Sequence, residues 1–145
     1  MAITSKTYGN YWTSLIKQDA NVVDFDADTI KAQLTDATHT NDPDTHDFLN
    51  DVSGDKTSGT TDQTLSNCDA AIDAGNDQVE VTCDNITFSS VPAGDAAGGI
   101  IVYKDTGTAS TSRLIVACKF SSDVTPNGSD ISVTINPEGI FKVAY

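Results

Sequence analysis

Apolar residues recur along the chain at changing intervals, and each interval predicts an element. Tyr8, Tyr11, Trp12 and Leu15 follow i, i+3, i+4, i+7 spacing, the stripe of one short helix over 7–18 with Thr7 as its cap. A helix this short is marginal alone, so its stripe must dock, either on its own sheet or on a neighbouring subunit. From Thr29 the interval drops to two. Ile30, Ala32 and Leu34 alternate with polar residues, as in a half-buried strand. Val79, Val81 and Cys83 oppose Gln78, Glu80 and Thr82; parity then switches to Ile86 and Phe88, which requires a turn or bulge. Ile100 to Tyr103 is a continuous apolar run, expected mid-sheet with both faces covered. Leu114, Val116, Cys118 and Phe120 share a face, and so do Ile131, Val133 and Ile135. Asn136-Pro137-Glu138-Gly139 fits a type I turn, after which Phe141, Val143 and Tyr145 close a final hairpin.

Polar segments separate these patterns. Asp24 to Asp28 reads as an acidic turn, Pro92 to Gly99 as a loop and Asp105 to Ser112 as a polar connection. The longest stretch is 36–63. Within it, Asp44 to Leu49 suits one helical turn capped by Asp44, anchored by Phe48, Leu49 and Val52, and 53–63 reads as a mobile loop. The expected organisation is a single all-β domain over 1–145. It comprises an N-terminal helical segment over 1–20 and an antiparallel β-sandwich or barrel over 29–145, with a long polar loop near 36–63.

Composition supports this picture. Only Glu80 and Glu138 are glutamates among 21 acids; Asp suits turns, and the abundant Thr suits exposed strand faces. Apolar content of 38% is lean, so a partner subunit is expected to complete some of the burial. Net charge is -13, with eight scattered basic residues, which argues against nucleic-acid binding and against an anionic membrane surface. No apolar signal core opens the chain, and no segment approaches membrane-spanning length. The three cysteines, Cys68, Cys83 and Cys118, match no zinc spacing. Cys83 and Cys118 fall on apolar strand faces, so reduced thiols and assembly in a cytoplasm are expected.

Reactive chemistry finds little footing. His39, Asp42, Asp44, His46 and Asp47 offer oxygen and nitrogen donors, but their order departs from a calcium loop, and Pro43 divides the first two acids. A solvated turn is the expected state there, and no metal or cofactor is assigned. Asp24, Asp26 and Asp28 would point one way from an extended chain, as a weak cation site or as a charged edge. No nucleophile elbow and no phosphate-cradling glycine loop before a helix occurs, and no catalytic residue is assigned.

Several stretches, in order, carry a resemblance. They are Lys6 with Tyr8-Gly9, Asp28-Thr29-Ile30-Lys31, the run Asp42-Pro43-Asp44-Thr45-His46-Asp47-Phe48, and Asp51-Val52. Further on stand Ile101-Val102-Tyr103 with Lys104-Asp105-Thr106, Leu114-Ile115-Val116, Ile131 to Ile135 and Gly139-Ile140. Across nearly its full length the chain resembles a group of small structural proteins of tailed bacteriophages. It departs from their pattern between 53 and 75, where a Gly/Tyr-rich stretch is usual. The resemblance implies a non-enzymatic virion component made in the host cytoplasm. More finely, it implies a capsid decoration protein on the outer surface of the shell, bound to the major capsid protein as a trimer. Tyr8, Tyr11, Trp12, Phe48 and Leu49 are the expected anchors. A tail, neck or fibre-base protein and a surface carbohydrate-binding module are the competing expectations.

Overall fold

The computed structural model describes residues 3–145. The fold is all-β with one short helix. Ten strands are described: β1 (Ile3–Thr7), β2 (Ile30–Asp36), β3 (Gln63–Thr64), β4 (Asp69–Asp73), β5 (Gln78–Thr82), β6 (Ile86–Phe88), β7 (Ala97–Lys104), β8 (Leu114–Val124), β9 (Ile131–Val133) and β10 (Phe141–Ala144). Helix α1 (Gly9–Lys17) separates β1 from β2. A five-stranded sheet has the order β1-β8-β7-β2-β3, beside a three-stranded sheet β10-β5-β4 and a pair β6-β9. Every pairing is antiparallel.

The apolar run of β7 lies mid-sheet, as its sequence predicts, and its residues from Ala97 to Tyr103 are buried throughout. Antiparallel partners share a face, so the register places Ala32, Val102 and Val116 on one side, with Leu34, Ile100 and Cys118 beside them. These join Val81, Ile86, Phe88, Ile131, Val133 and Phe141 of the smaller sheets in a single hydrophobic core.

The other face of β2 is not solvated. Gln33 and Thr35 are buried there, because the long polar segment folds back over them. Gln33 Nε2 donates to the Val52 carbonyl at 3.1 Å, and the Thr57 N–H donates to the Leu34 carbonyl at 2.9 Å. Lys56 bridges to Thr35, and β3 then adds the next strand. The expected half-buried strand is thus covered on both sides, and the expected mobile loop is docked. Side-chain periodicity cannot register a cover that attaches through backbone groups.

Four local expectations need correction. Thr7 belongs to β1, which the sequence pattern missed, and Tyr8 occupies the N-cap position of α1 without a side-chain cap. Asp44 caps no helix; the short helical turns here span Leu49–Asp51 and Ser53–Asp55. Gly98 and Gly99 are strand residues, since β7 starts at Ala97. An ideal Cβ at Gly99 would sit 2.5 Å from the Cys118 carbonyl oxygen, so the strands approach too closely there for any side chain. Finally, the Asn136–Gly139 turn forms, with the Gly139 N–H donating to the Asn136 carbonyl at 2.8 Å. It closes no hairpin, however: β9 pairs with β6 and β10 with β5.

The cysteine expectation also fails in part. Cys68 and Cys83 form a disulfide across the ends of the β4–β5 hairpin, while Cys118 is the free, buried thiol. Two half-exposed cysteines that flank a hairpin face one another, a relation invisible until β4 and β5 are paired. Among the described residues, no helix is long and apolar enough to cross a membrane.

Candidate functional site

The five sequence-derived anchors fall into two groups. Tyr8 is fully buried and Tyr11 is 4% exposed, so both belong to the protein's own core. Their rings are not presented to a partner, which corrects the expectation for these two. Burial raises both phenols, Tyr11 to about 12. The helix stripe docks on β10: the rings of Tyr11 and Trp12 meet Phe141 edge-on at 5.9 and 6.1 Å. Trp12 is half-buried, and its Nε1 donates to Thr7 Oγ1 at 2.9 Å. Ile16 projects from the same helix, 83% exposed.

Phe48 and Leu49, also half-buried, lie on the other side of a residue that sequence reasoning missed. Arg113 is the only arginine in the chain. It is 6% exposed, and its guanidinium carbon stands 4.2 Å above the Phe48 ring. Its terminal nitrogens lie 3.8 Å from Asp19 and 3.7 Å from Asp47. Asp19 follows α1, and Ser14 Oγ donates to it at 2.6 Å. Arg113 therefore ties the end of the helix to the long loop. Backbone pairing fixes the loop to the start of β8: Phe48 bridges to Arg113, the Leu114 N–H donates to the Asp47 carbonyl, and the Leu49 N–H to the Ser112 carbonyl. The signal available was a lone arginine in an acidic chain, directly ahead of an apolar strand.

Charges in this loop are tuned locally. Burial raises the Asp47 carboxyl, reinforced by neighbouring Asp51. Asp51 is itself partly buried, yet the N–H groups of Asp47 and Phe48 hold it below the usual carboxylate range. Asp42 is lowered by the Thr45 hydroxyl and the Asp44 N–H. Its Oδ1 accepts from the backbone of Asp44 and of Thr45, each at 3.2 Å, so it closes an Asx turn. His39 pairs with Asp55 at 2.7 Å, and the His39 and His46 ring centres are 6.4 Å apart. Among the described residues no cluster with metal-ligand geometry forms. Asp24, Asp26 and Asp28 are not extended either. Asp24 Oδ1 accepts the Asp26 N–H within a turn, and Asp28 pairs with Lys104 at 3.0 Å.

No protein-family model matches the chain, and neither curated proteins nor solved structures give a match.

Proposed function

We propose that the chain is a structural component of a tailed-phage particle, most specifically a decoration protein on the outer face of the shell, in contact with the major capsid protein. One observation carries this reading. The run most characteristic of the resemblance, Asp42 to Phe48, is a built unit: an Asx turn at its start, Arg113 stacked on Phe48 at its end, and a backbone bond from Leu114 of β8 to Asp47 between. It leaves Phe48 and Leu49 half-exposed on backbone bonded to the segment that leads into β8.

This arrangement suits adhesion. Half-buried apolar side chains on ordered backbone lose little conformational freedom when a partner covers them. A protein that binds the assembled lattice, and not its dissociated subunits, stabilises the lattice by mass action, and many equivalent copies act together. The net charge of -13 keeps unbound copies apart.

Quantitative mass spectrometry of purified particles from the phage that carries this gene tests the assignment. Copies in the hundreds per particle are expected, with density over the shell in an electron-microscopy map. A dozen or fewer would move the protein to the tail or neck, and none would remove it from the particle.

A further inference from the structure

Five of the eight basic residues are held in ion pairs: Lys31, Lys56, Lys104, Arg113 and Lys142. Among the described residues, only Lys6, Lys17 and Lys119 are not. Lys17 stands apart at the end of α1. The other two lie together. Lys6 pairs in register with Ala117, and Thr4 with Lys119, so Lys6 and Lys119 occupy diagonal positions on one face of the β1–β8 ribbon. That face opens into a groove of about 350 Å³, whose floor includes Gly99 and Ala117 and whose far wall includes His39 and Asn41. Small floor residues leave the space; the two lysines give it its charge. The single acid of the lining, Asp36, is turned aside, its Oδ1 accepting both the N–H and the hydroxyl of Thr38 at 2.8 and 2.6 Å. Within the wall, His39 Nε2 and Asn41 Oδ1 are buried without hydrogen-bond partners.

β1 is an edge strand, hydrogen-bonded only to β8. An antiparallel strand uses alternate backbone groups toward each neighbour, so half of those in β1 face outward. A strand added there would place every second side chain on the groove face, beside Lys6. We propose that this edge and groove receive an extended acidic segment of another protein chain, its alternate carboxylates meeting Lys6 and Lys119. Charge complementarity selects this occupant: on a surface of net charge -13, this is where, among the described residues, two unpaired cations adjoin an edge strand without a second hydrogen-bonded neighbour. The inference holds whichever larger structure the chain joins.

Fluorescence anisotropy with a labelled Val-Glu-Val-Glu-Val-Thr peptide, against its Gln-for-Glu analogue, is the test. At low salt the acidic peptide is expected to bind about ten-fold tighter, the gain of two partly exposed ion pairs. Rising salt should erase the difference. Joint Lys6→Gln and Lys119→Gln substitution should erase it too, and Lys17→Gln should leave it intact. Equal binding of the two peptides would overturn the proposal. So would an equal loss from Lys17→Gln, which would mean diffuse attraction. Glutarate or inorganic phosphate competing at the peptide's own affinity would make the groove a small-anion site and overturn it as well.

Discussion

Cys68 and Cys83, 15 residues apart, close a loop whose strand β4 is exposed along most of its length. Little native burial depends on that strand, so the bond acts chiefly by restricting the unfolded chain. Closing a loop of this size removes denatured-state entropy equivalent to about 3 kcal/mol at 25 °C. Unfolding entropy scales at roughly 2.1 cal/mol/K per residue, or about 0.3 kcal/mol/K for a chain of this length. Replacing both residues by serine should therefore lower Tm by about 10 °C and shift the urea midpoint downward. Calorimetry of the oxidised protein and the double variant, with and without reductant, measures this. The reductant should move only the protein that holds the bond. A Tm difference under about 2 °C, or three titratable thiols in unreduced denatured protein, would refute the reasoning. Because reducing cytoplasm disfavours such bonds, a chain made there would acquire this one only after release.

Other outcomes follow from particular contacts. Gly99→Ala should cost about 3 kcal/mol or prevent soluble expression, since the new Cβ meets a backbone oxygen that cannot yield; urea denaturation reads it. Arg113→Met should cost about 1–2 kcal/mol through lost stacking on Phe48, a modest value because both ion-pair partners are over a third exposed. Hydrogen exchange should then rise in 42–56 before it rises in β7. In acid, Asp19, Asp42, Asp51, Asp73 and Asp105 have folded pKa values below their unfolded ones. Their contribution is present above about pH 4 and is lost as pH falls through the lowered values, with Asp47 opposing it; urea midpoints at pH 7 and pH 3 show the net fall. In alkali the sign reverses. Tyr8, Tyr11, Tyr103 and Cys118 are raised by burial, Tyr11 and Cys118 to about 12, so stability present below the unfolded values is lost as pH climbs toward the folded ones. Absorbance near 295 nm should show these three tyrosines ionising together with unfolding.

Much of the fold was legible because period-two patterns report directly on sheet faces. Ile30, Ala32 and Leu34 are buried as their alternation requires, and Ile131, Val133 and Ile135 likewise. The Ile100 to Tyr103 run announced the central strand. What escaped was whatever depends on partners distant in sequence. β1 has exposed residues at its centre and takes its identity from pairing with β8. β10 resembles a hairpin arm but joins β5. The second cover of the large sheet comes from a segment whose only fully buried apolar side chain is Val52, so hydropathy recorded a loop. Of the candidate site, Phe48 and Leu49 were visible as isolated apolar residues in polar surroundings. Arg113, which organises them, was not, because a single cation has no period.

The strand order carries a consequence for how the molecule comes into being. Ile3 lies opposite Phe120, and Ile30 opposite Lys104. During synthesis β1 must therefore wait, unpaired, until β8 has followed it out of the ribosome. Most of the large sheet is settled by these distant partners, so assembly should be slow and late. The excess of aspartate bears on that interval: a net charge of -13 makes unfinished chains repel one another.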